Sequence, residues 1–350
     1  MKSKLLIFLL IPFITLAQIP AYYSPVNFSL TGDDLKLQLT QIITETHTTN
    51  LPYTSSEPDT WDALKLTDLD PSNNNNVFLI YGWNDLDAIA DNDRTRNKDL
   101  SCHTTSCSGL WVREHIFPRS LGTPNLGFEF AGSDAHNLRA IDYSRNNTRS
   151  NRIFDIGSGE ASYVTSTGTW FPGEEWIGDI ARMIMYMYVR YPSQCAAVSV
   201  GVGSTSYSNN GDMPNIFLEW NQQDPVSLYE QNRNNVLQNM QGNRNPFIDN
   251  PYLATLIWNG PTAQDTWNLL SIETSTLESI VVYPTVTYDY VNVSNQQNKT
   301  FVYTIYNYIG QSINSGTTTD KIDISNNASG MYIIKLDSED QSKTYKVFRK

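Results

Sequence analysis

The sequence predicts an α+β protein in which a mainly helical domain is followed by a small all-β domain. Segments with helical spacing of apolar residues recur up to Gly242. From about residue 276 they give way to short β-rich runs separated by Asn, Gly, Ser and Asp. The length of 350 residues also suits two domains better than one.

The N-terminus predicts an export signal. Lys2 and Lys4 precede an apolar run over residues 5–16, and Ala17 supplies a small residue for cleavage. The run is shorter than the roughly 20 residues that a membrane-spanning helix needs. We therefore predict a secretory signal peptide over residues 1–17 and a mature chain with no stable membrane span. An N-terminal core strand is the alternative for this run.

The region after the signal predicts helices with a few short strands. In chain order the predicted elements are a helix over 33–47, a helix capped by Thr60, a loop over 73–76, a strand over 77–81, a helix over 174–190, and a helix that begins at 224 and stops at Gly242. The helix over 174–190 is predicted to be amphipathic, with its buried face formed by Ile177, Ile180, Ala181, Ile184 and Tyr188.

The cysteines fit an oxidising compartment. Cys102 and Cys107 enclose four residues, which favours a small local disulfide and leaves Cys195 free and buried. A zinc site that also uses His103 is the alternative, although it lacks an obvious fourth ligand.

The net charge of −12 argues at first sight against binding to a polyanion. The region from Arg94 to Arg244, however, carries 13 basic and 14 acidic residues, and 12 of the basic residues are arginines. Arginine suits bidentate recognition of phosphate or carboxylate. Four aspartates over residues 85–93 predict a solvated acidic loop, with a calcium site as the alternative.

Two histidines lie in a region dense in Asp, Asn and Arg. His115 follows Glu114, and a histidine beside a carboxylate offers a general base and a hard-metal ligand together. If a helix begins at Asp142, Asn146 and Arg149 share one of its faces. A base, oxygen ligands and arginines are the parts that phosphodiester hydrolysis needs. A core histidine beside a structural arginine cluster is the alternative.

The order of these residues resembles the bacterial extracellular endonuclease I family. The matching motifs lie at residues 114–120, 134–139 and 142–151, and further similarity lies at 61–64, 178–187, 219–226 and 241–249. The resemblance implies a mainly helical nuclease domain over residues 18–275, built around a ββα-metal (His-Me) finger. It also implies a secreted, metal-dependent, sequence-nonspecific endonuclease that cuts DNA, with RNA as a further substrate, and leaves 5′-phosphate ends.

The resemblance further implies a role for each matching residue. His115 is expected to be the general base, and Arg149 to stabilise the charge that develops on the phosphate. Glu114 and Asn146 are expected to bind one Mg²⁺, with Ca²⁺ or Mn²⁺ as alternatives. Residues expected to support the site are Asp134, His136 and Asn151. Arginines expected to contact nucleic acid are Arg113, Arg119, Arg139, Arg145 and Arg182, of which Arg182 has the alternative role of anchoring the helical layer.

Two details of the motif bear on the structure. Adjacent residues on a regular strand point to opposite faces, so Glu114 and His115 can share a site only at a strand end or bulge. Where many relatives have a second histidine and a proline, this chain has Asn137 and Ala140.

The C-terminal region, residues 276–350, resembles a type A sorting domain of the type IX secretion system. The motifs lie at residues 282–293, 305–311, 322–335 and 346–350, with Thr285 where relatives often have Asn. The resemblance implies a small all-β sandwich that the type IX machinery uses for export across the outer membrane of Bacteroidetes-type bacteria. A carbohydrate-binding β-domain is the alternative here.

For the whole chain we expect a secreted or surface-attached monomer. The alternative functions are an exported adhesin or glycan-binding protein without catalysis, and a phosphodiesterase that acts on small or lipid substrates.

Overall fold

A computed structural model of the chain describes residues 19–270, 280–294, 300–338 and 341–350. The predicted signal peptide and the predicted boundary between residues 275 and 276 lie outside these residues. The chain forms two compact units that divide between Trp267 and Asn268. Within the described ranges, no helix is long and apolar enough to cross a membrane.

The first unit is mainly helical. Its described helices are α1 (Gly32–Glu45), α2 (Thr60–Thr67), α3 (Tyr143–Arg149), α4 (Ile177–Arg190), α5 (Asn215–Gln223), α6 (Leu228–Gln241), α7 (Pro246–Asp249) and α8 (Tyr252–Trp258). Single 3₁₀ turns lie at Ala21–Tyr23, Ala90–Asn92, Arg119–Leu121, Phe130–Gly132, Ala135–Asn137, Glu174–Trp176 and Ala197–Ser199.

The strands of the first unit are short. They are β1 (Leu69–Asp70), β2 (Asn73–Phe78), β3 (Thr95–Asn97), β4 (Trp111–His115), β5 (Leu138–Asp142), β6 (Tyr163–Val164) and β7 (Trp170–Phe171). The antiparallel sheets have the orders β1-β2-β3, β4-β5 and β6-β7.

Side-chain caps set several helix starts. Asp59, rather than the predicted Thr60, caps α2, because its carboxylate accepts hydrogen bonds from the backbone N–H groups of Trp61 and Asp62. Ser227 and Glu230 form a capping box on α6, so this helix begins later than the predicted residue 224. As predicted, α6 stops at Gly242, which has a φ of 96° and is left-handed.

Two further predictions need correction. The asparagines at 73–76 belong to β2 rather than to a loop, because β1 and β3 pair with this strand from either side, at Asn73 and Asn76 respectively. Helix α4 is buried almost all round instead of on one face, because α1 and α5 pack against it. Tyr188, assigned to the buried face, is only half-buried, and its hydroxyl donates to Asp212.

A strand–strand–helix segment carries the predicted functional residues. Strands β4 and β5 are antiparallel, with Glu114 opposite Arg139 and His115 opposite Leu138. Asp142 ends β5 and caps α3, because its carboxylate accepts hydrogen bonds from the N–H groups at positions 144 and 145. Asp142 is therefore the cap of α3 and not its first residue, so the helix begins one residue later than the sequence predicts, and it lies beside the end of β4.

The second unit is all-β, as predicted. Its strands are β8 (Val281–Tyr283), β9 (Val286–Thr287), β10 (Tyr290–Ser294), β11 (Phe301–Asn307), β12 (Ser312–Thr318), β13 (Lys321–Asp323), β14 (Gly330–Ser338) and β15 (Gln341–Arg349). They form sheets of order β13-β10-β8 and β12-β11-β14-β15-β9. Apolar residues of both sheets, among them Val291, Ile305 and Ile334, share one buried cluster.

Candidate active site

An open cleft of about 510 Å³ lies where β4 ends beside α3. The residues that line it are Arg113, Glu114, His115, Pro118, Arg119, Ser120, Asn125, Asn146, Arg149, Ser150 and Asn151. Strand β4 ends at His115, so Glu114 and His115 reach the same cleft although they are neighbours in sequence. The structure therefore brings together the predicted base, both predicted metal ligands and the predicted phosphate-stabilising arginine.

His115 is held as a neutral imidazole. Its Nε2 lies 2.9 Å from the carbonyl oxygen of Gly132. Because a carbonyl only accepts hydrogen bonds, Nε2 carries the proton and Nδ1 carries the free lone pair. Burial lowers the pKa of His115 to about 3, and the positive charges of nearby arginines act in the same direction. The imidazole is therefore uncharged at neutral pH.

Glu114 is a buried carboxylate whose negative charge is partly balanced by one hydrogen bond and one nearby arginine. Its Oε1 accepts a hydrogen bond from the Tyr81 hydroxyl at 3.1 Å and lies 3.2 Å from Nη1 of Arg149. Burial nevertheless raises the pKa of Glu114, against the lowering effects of Arg149 and Tyr81. An ionised carboxylate has about four lone-pair sites, so it keeps capacity for a cation.

Asn146 and Arg149 reach the cleft from one face of α3. The half-buried Asn146 side chain forms no hydrogen bond with another described residue, so its amide oxygen is free to accept a ligand. Arg149 is 1% exposed, and its guanidinium donates to the carbonyl oxygens of His115 and Ile116. These bonds and the contact with Glu114 fix the end of β4 against α3.

Glu114 and Asn146, the two predicted metal ligands, would provide only two protein oxygen donors. Among the described residues, no group of three or more His, Cys, Asp or Glu side chains is arranged to hold a metal ion. One carboxylate and one amide oxygen are nevertheless the donor types that Mg²⁺ takes, and Mg²⁺ usually keeps several waters beside one or two protein ligands.

Only two of the five arginines that were predicted to contact nucleic acid line the cleft. Arg113 and Arg119 line the cleft. Arg145 does not, because its guanidinium lies over Trp83 and contacts Asp91.

Arg139 and Arg182 are fully buried, which corrects the prediction that they contact nucleic acid. Arg139 pairs with Asp179 at 2.7 Å, and Arg182 donates two hydrogen bonds to Glu230. Arg182 thus links α4 to α6, in agreement with its alternative role in the helical layer.

The residues expected to support the site lie behind it or at its rim. Asp134 accepts hydrogen bonds from Tyr186, Tyr191 and Gln241 in the interior. His136 is buried against Tyr186, with Nε2 3.4 Å from the Asn243 carbonyl oxygen. Asn151 lies at the rim, where its amide donates to the Ser120 hydroxyl.

Asn137, where many relatives have histidine, also supports the cleft. Its side-chain oxygen accepts from the backbone N–H of Phe117, and its amide nitrogen donates to the carbonyl of the same residue. Asn137 therefore fixes the chain just after His115.

The predicted disulfide joins Cys102 to Cys107, and Cys195 is free and buried, as expected. The zinc alternative would need the two thiolates that this bond consumes. A backbone hydrogen bond from Cys102 to the Trp111 carbonyl ties the closed loop to the start of β4.

Three residues of the site were missed by the sequence analysis. Tyr81 binds Glu114, Gly132 binds His115, and the Tyr53 ring stacks on the His115 imidazole at 5.7 Å. At Gly132 the packing requires glycine, because a Cβ there would collide with the backbone of Gly127. No local spacing pattern could have identified these contacts, since each joins distant parts of the sequence.

Comparison with known proteins gives two family matches and two similar relatives. Residues 31–252 match the family described as Endonuclease I, and residues 281–350 match the family described as Secretion system C-terminal sorting domain. The chain is 37% identical over 240 residues to an extracellular ribonuclease of Bacillus subtilis (strain 168), an alignment that covers 65% of this chain and 75% of the relative. It is 35% identical over 255 residues to an extracellular ribonuclease of Bacillus amyloliquefaciens, with 69% and 79% covered.

Proposed function

Because this chain belongs to the endonuclease I family, we propose that its cleft hydrolyses phosphodiester bonds of nucleic acids with the help of a divalent cation. The chain is a secreted nuclease, since its relatives are extracellular ribonucleases and it carries a type IX sorting domain. The observation that carries the proposed mechanism is the free Nδ1 of a neutral His115 in a cleft that also holds Glu114, Asn146 and Arg149.

His115 acts in this mechanism as the general base. Nδ1 takes a proton from a water molecule, which then attacks the phosphorus atom. The Gly132 carbonyl keeps the proton on Nε2 and orients the ring. The arrangement of β4, β5 and α3 serves as the ββα-metal finger that presents this base.

Glu114 and Asn146 hold the cation, with Mg²⁺ as the expected ion and Ca²⁺ or Mn²⁺ as alternatives. The fit rests on their oxygen donors and on the burial of Glu114, whose ionised form a cation would stabilise. A bound cation would stabilise negative charge on the leaving 3′-oxygen. Breaking the bond between phosphorus and this oxygen leaves a 3′-hydroxyl on one fragment and a 5′-phosphate on the other. Arg149 positions Glu114 and adds positive charge beside the phosphate.

The substrate and the domain organisation complete the proposal. Contacts to phosphate and sugar carry no direct sequence information, so cleavage is sequence-nonspecific and extends to DNA as well as RNA.

The signal peptide spans residues 1–17, the catalytic domain 18–275 and the sorting domain 276–350, which the type IX machinery recognises. The enzyme is a monomer that is released or attached at the cell surface.

A metal titration tests this mechanism. The purified chain is incubated with plasmid DNA and, separately, with RNA, first in EDTA and then in rising Mg²⁺ concentrations. EDTA should abolish cleavage of both substrates, and Mg²⁺ should restore it. Glu114→Gln and Asn146→Ala should each raise the Mg²⁺ concentration for half-maximal rate by at least about tenfold. Asn147→Ala, an exposed neighbour on α3, is the matched control and should leave that concentration unchanged.

The product ends provide a second readout. Fragments should accept a new 5′-phosphate from polynucleotide kinase only after phosphatase treatment. Cleavage that persists in EDTA, or fragments that are labelled without phosphatase, would contradict the proposed metal dependence or the proposed products, respectively.

A further inference from the structure

Two aromatic rings extend outward from His115 and contact two of the arginines that line the cleft. The Tyr53 ring lies 5.7 Å from the imidazole, with an angle of 23° between the ring planes, and the Phe128 ring lies 5.1 Å from Tyr53. Two arginines cover these rings: the guanidinium carbon of Arg113 lies 3.5 Å from the Tyr53 centroid, and that of Arg119 lies 3.8 Å from the Phe128 centroid. We call these four residues the aromatic wall.

Phe128 is exposed in a way that core packing does not explain. The residue is 59% accessible to solvent, although its ring contacts Arg119, which lines the cleft. Tyr53, by contrast, is half-buried and already stacked on His115. An exposed aromatic ring beside a functional cleft offers a face to a ligand.

The arginines of the aromatic wall are not neutralised by direct ion pairs. Within the described part of the chain, neither Arg113 nor Arg119 forms an ion pair with a carboxylate. Arg113 donates only to neutral oxygens of Tyr53, Thr54 and Thr60. Nε of Arg113 and Nε of Arg119 have no hydrogen-bond partner among the described residues, and both side chains line the cleft. Both charges are therefore available to an anion that enters the cleft.

A surface that alternates aromatic rings with unpaired arginines matches a ligand that alternates bases with phosphates. Single-stranded nucleic acid has this pattern, because its bases are free to leave the stack while its phosphates follow a positively charged groove. In a duplex the bases are already stacked and paired, so the same surface would gain only phosphate contacts.

We propose that the aromatic wall binds an unpaired nucleobase on the exposed face of Phe128 and the adjoining phosphates on Arg119 and Arg113, so that single-stranded nucleic acid is the preferred substrate. The inference rests on the proposed function and adds to it a substrate class. It assigns to Phe128 a role in substrate choice and none in the chemical step.

The test compares one strand in two forms. The full chain in Mg²⁺ is given a fluorescent oligonucleotide without self-complementarity, either alone or annealed to its complement. Phe128→Ala should lower kcat/KM for the single strand about 5- to 160-fold, mainly through KM, which corresponds to about 1–3 kcal/mol for one stacked base. The duplex rate should change by less than about twofold, since phosphate contacts remain. Phe128→Trp should keep the preference for the single strand.

Phe130 provides the matched control. It lies two residues away and is 61% exposed, but within the described residues its ring forms no contact with Tyr53 or Arg119. Phe130→Ala should change neither rate by more than about twofold. Equal losses on both substrates in Phe128→Ala, or no loss on the single strand, would overturn the assignment while leaving the nuclease mechanism intact. A wild-type chain that cleaves neither form would overturn the proposed function itself.

Discussion

Replacing Arg182 with methionine should destabilise the first unit strongly and leave substrate binding unchanged. The guanidinium is fully buried, donates to Glu230 through Nε at 2.6 Å and Nη2 at 2.8 Å, and donates to the Asp224 carbonyl through Nη1 at 2.8 Å. Removing one partner of a buried ion pair leaves an uncompensated charge, which costs about 3–5 kcal/mol. For a unit of this size each kcal/mol shifts Tm by about 2–4 °C, so the expected loss is about 6–20 °C.

Tryptophan fluorescence can follow this unit alone. All 8 tryptophans lie at or before Trp267, so the thermal transition of their emission reports no unfolding of the second unit. Arg94→Met is the matched control, because Arg94 also pairs with a glutamate, Glu175, but both side chains are more than one-third exposed. An exposed pair of this kind contributes about 0–1 kcal/mol to the free energy of unfolding, so Arg94→Met should change Tm much less than Arg182→Met.

A double variant separates charge burial from simple loss of packing. Adding Glu230→Leu to Arg182→Met removes the stranded carboxylate, so part of the lost Tm should return. Recovery should be incomplete, since Glu230 also accepts a hydrogen bond from the Ser227 backbone N–H. If Arg182→Met leaves Tm within about 2 °C of wild type and raises KM, the arginine reaches the substrate and the structural assignment fails.

Three further predictions concern stability. Burial lowers the pKa of His136 from 6.5 to about 4 in the folded chain. Between these two pH values the unfolded chain therefore binds more protons than the folded chain. The free energy of unfolding should fall as the pH is lowered from 6.5 towards 4. His136→Gln should therefore show a smaller fall in Tm between pH 7 and pH 5 than wild type, and an equal fall would contradict this linkage. Ser227→Ala removes the side-chain cap of α6 and should lower the free energy of unfolding by about 1 kcal/mol. An unchanged free energy of unfolding would show that the capping box does not stabilise the helix. The double variant Cys102→Ser/Cys107→Ser removes the disulfide that closes a short loop and should lower the free energy of unfolding by about 2 kcal/mol. A reductant should lower the Tm of wild type but not that of this variant.

Local signals in the sequence were sufficient for much of the fold. Helical spacing located α1, α4 and α6, and Gly242 marked the correct end of α6. Prediction failed where tertiary pairing overrode local preference. The asparagines at 73–76 have low strand propensity, yet Asn73 pairs with β1 and Asn76 with β3. In the second unit β12 consists of polar residues on an edge strand, where neither face shows the apolar alternation by which a strand is predicted from sequence.

The candidate site was predictable for residues that lie close in sequence and not for those that meet only in the fold. Glu114, His115, Asn146 and Arg149 belong to ordered motifs, and all of them line the cleft. Burial, by contrast, cannot be judged from residue type. Arg139 looks like a surface cation in sequence, but its opposite charges at Asp68 and Asp179 come from distant segments. Arginine clusters therefore predict phosphate contacts only after buried ion pairs have been excluded.

The role of His115 as the general base is tested most directly by nucleic-acid cleavage with the His115→Ala variant. Wild type and variant, both shown to be folded by tryptophan fluorescence, are incubated with plasmid DNA and with RNA in Mg²⁺. Loss of the general base should lower kcat by about 10²–10⁴-fold on both substrates. His47→Ala is a control, because the imidazole of His47 lies 3.7 Å from Asp134, is not among the residues that line the cleft, and should not enter the reaction. A folded His115→Ala variant that cleaves at the wild-type rate would show that His115 does not activate the attacking water.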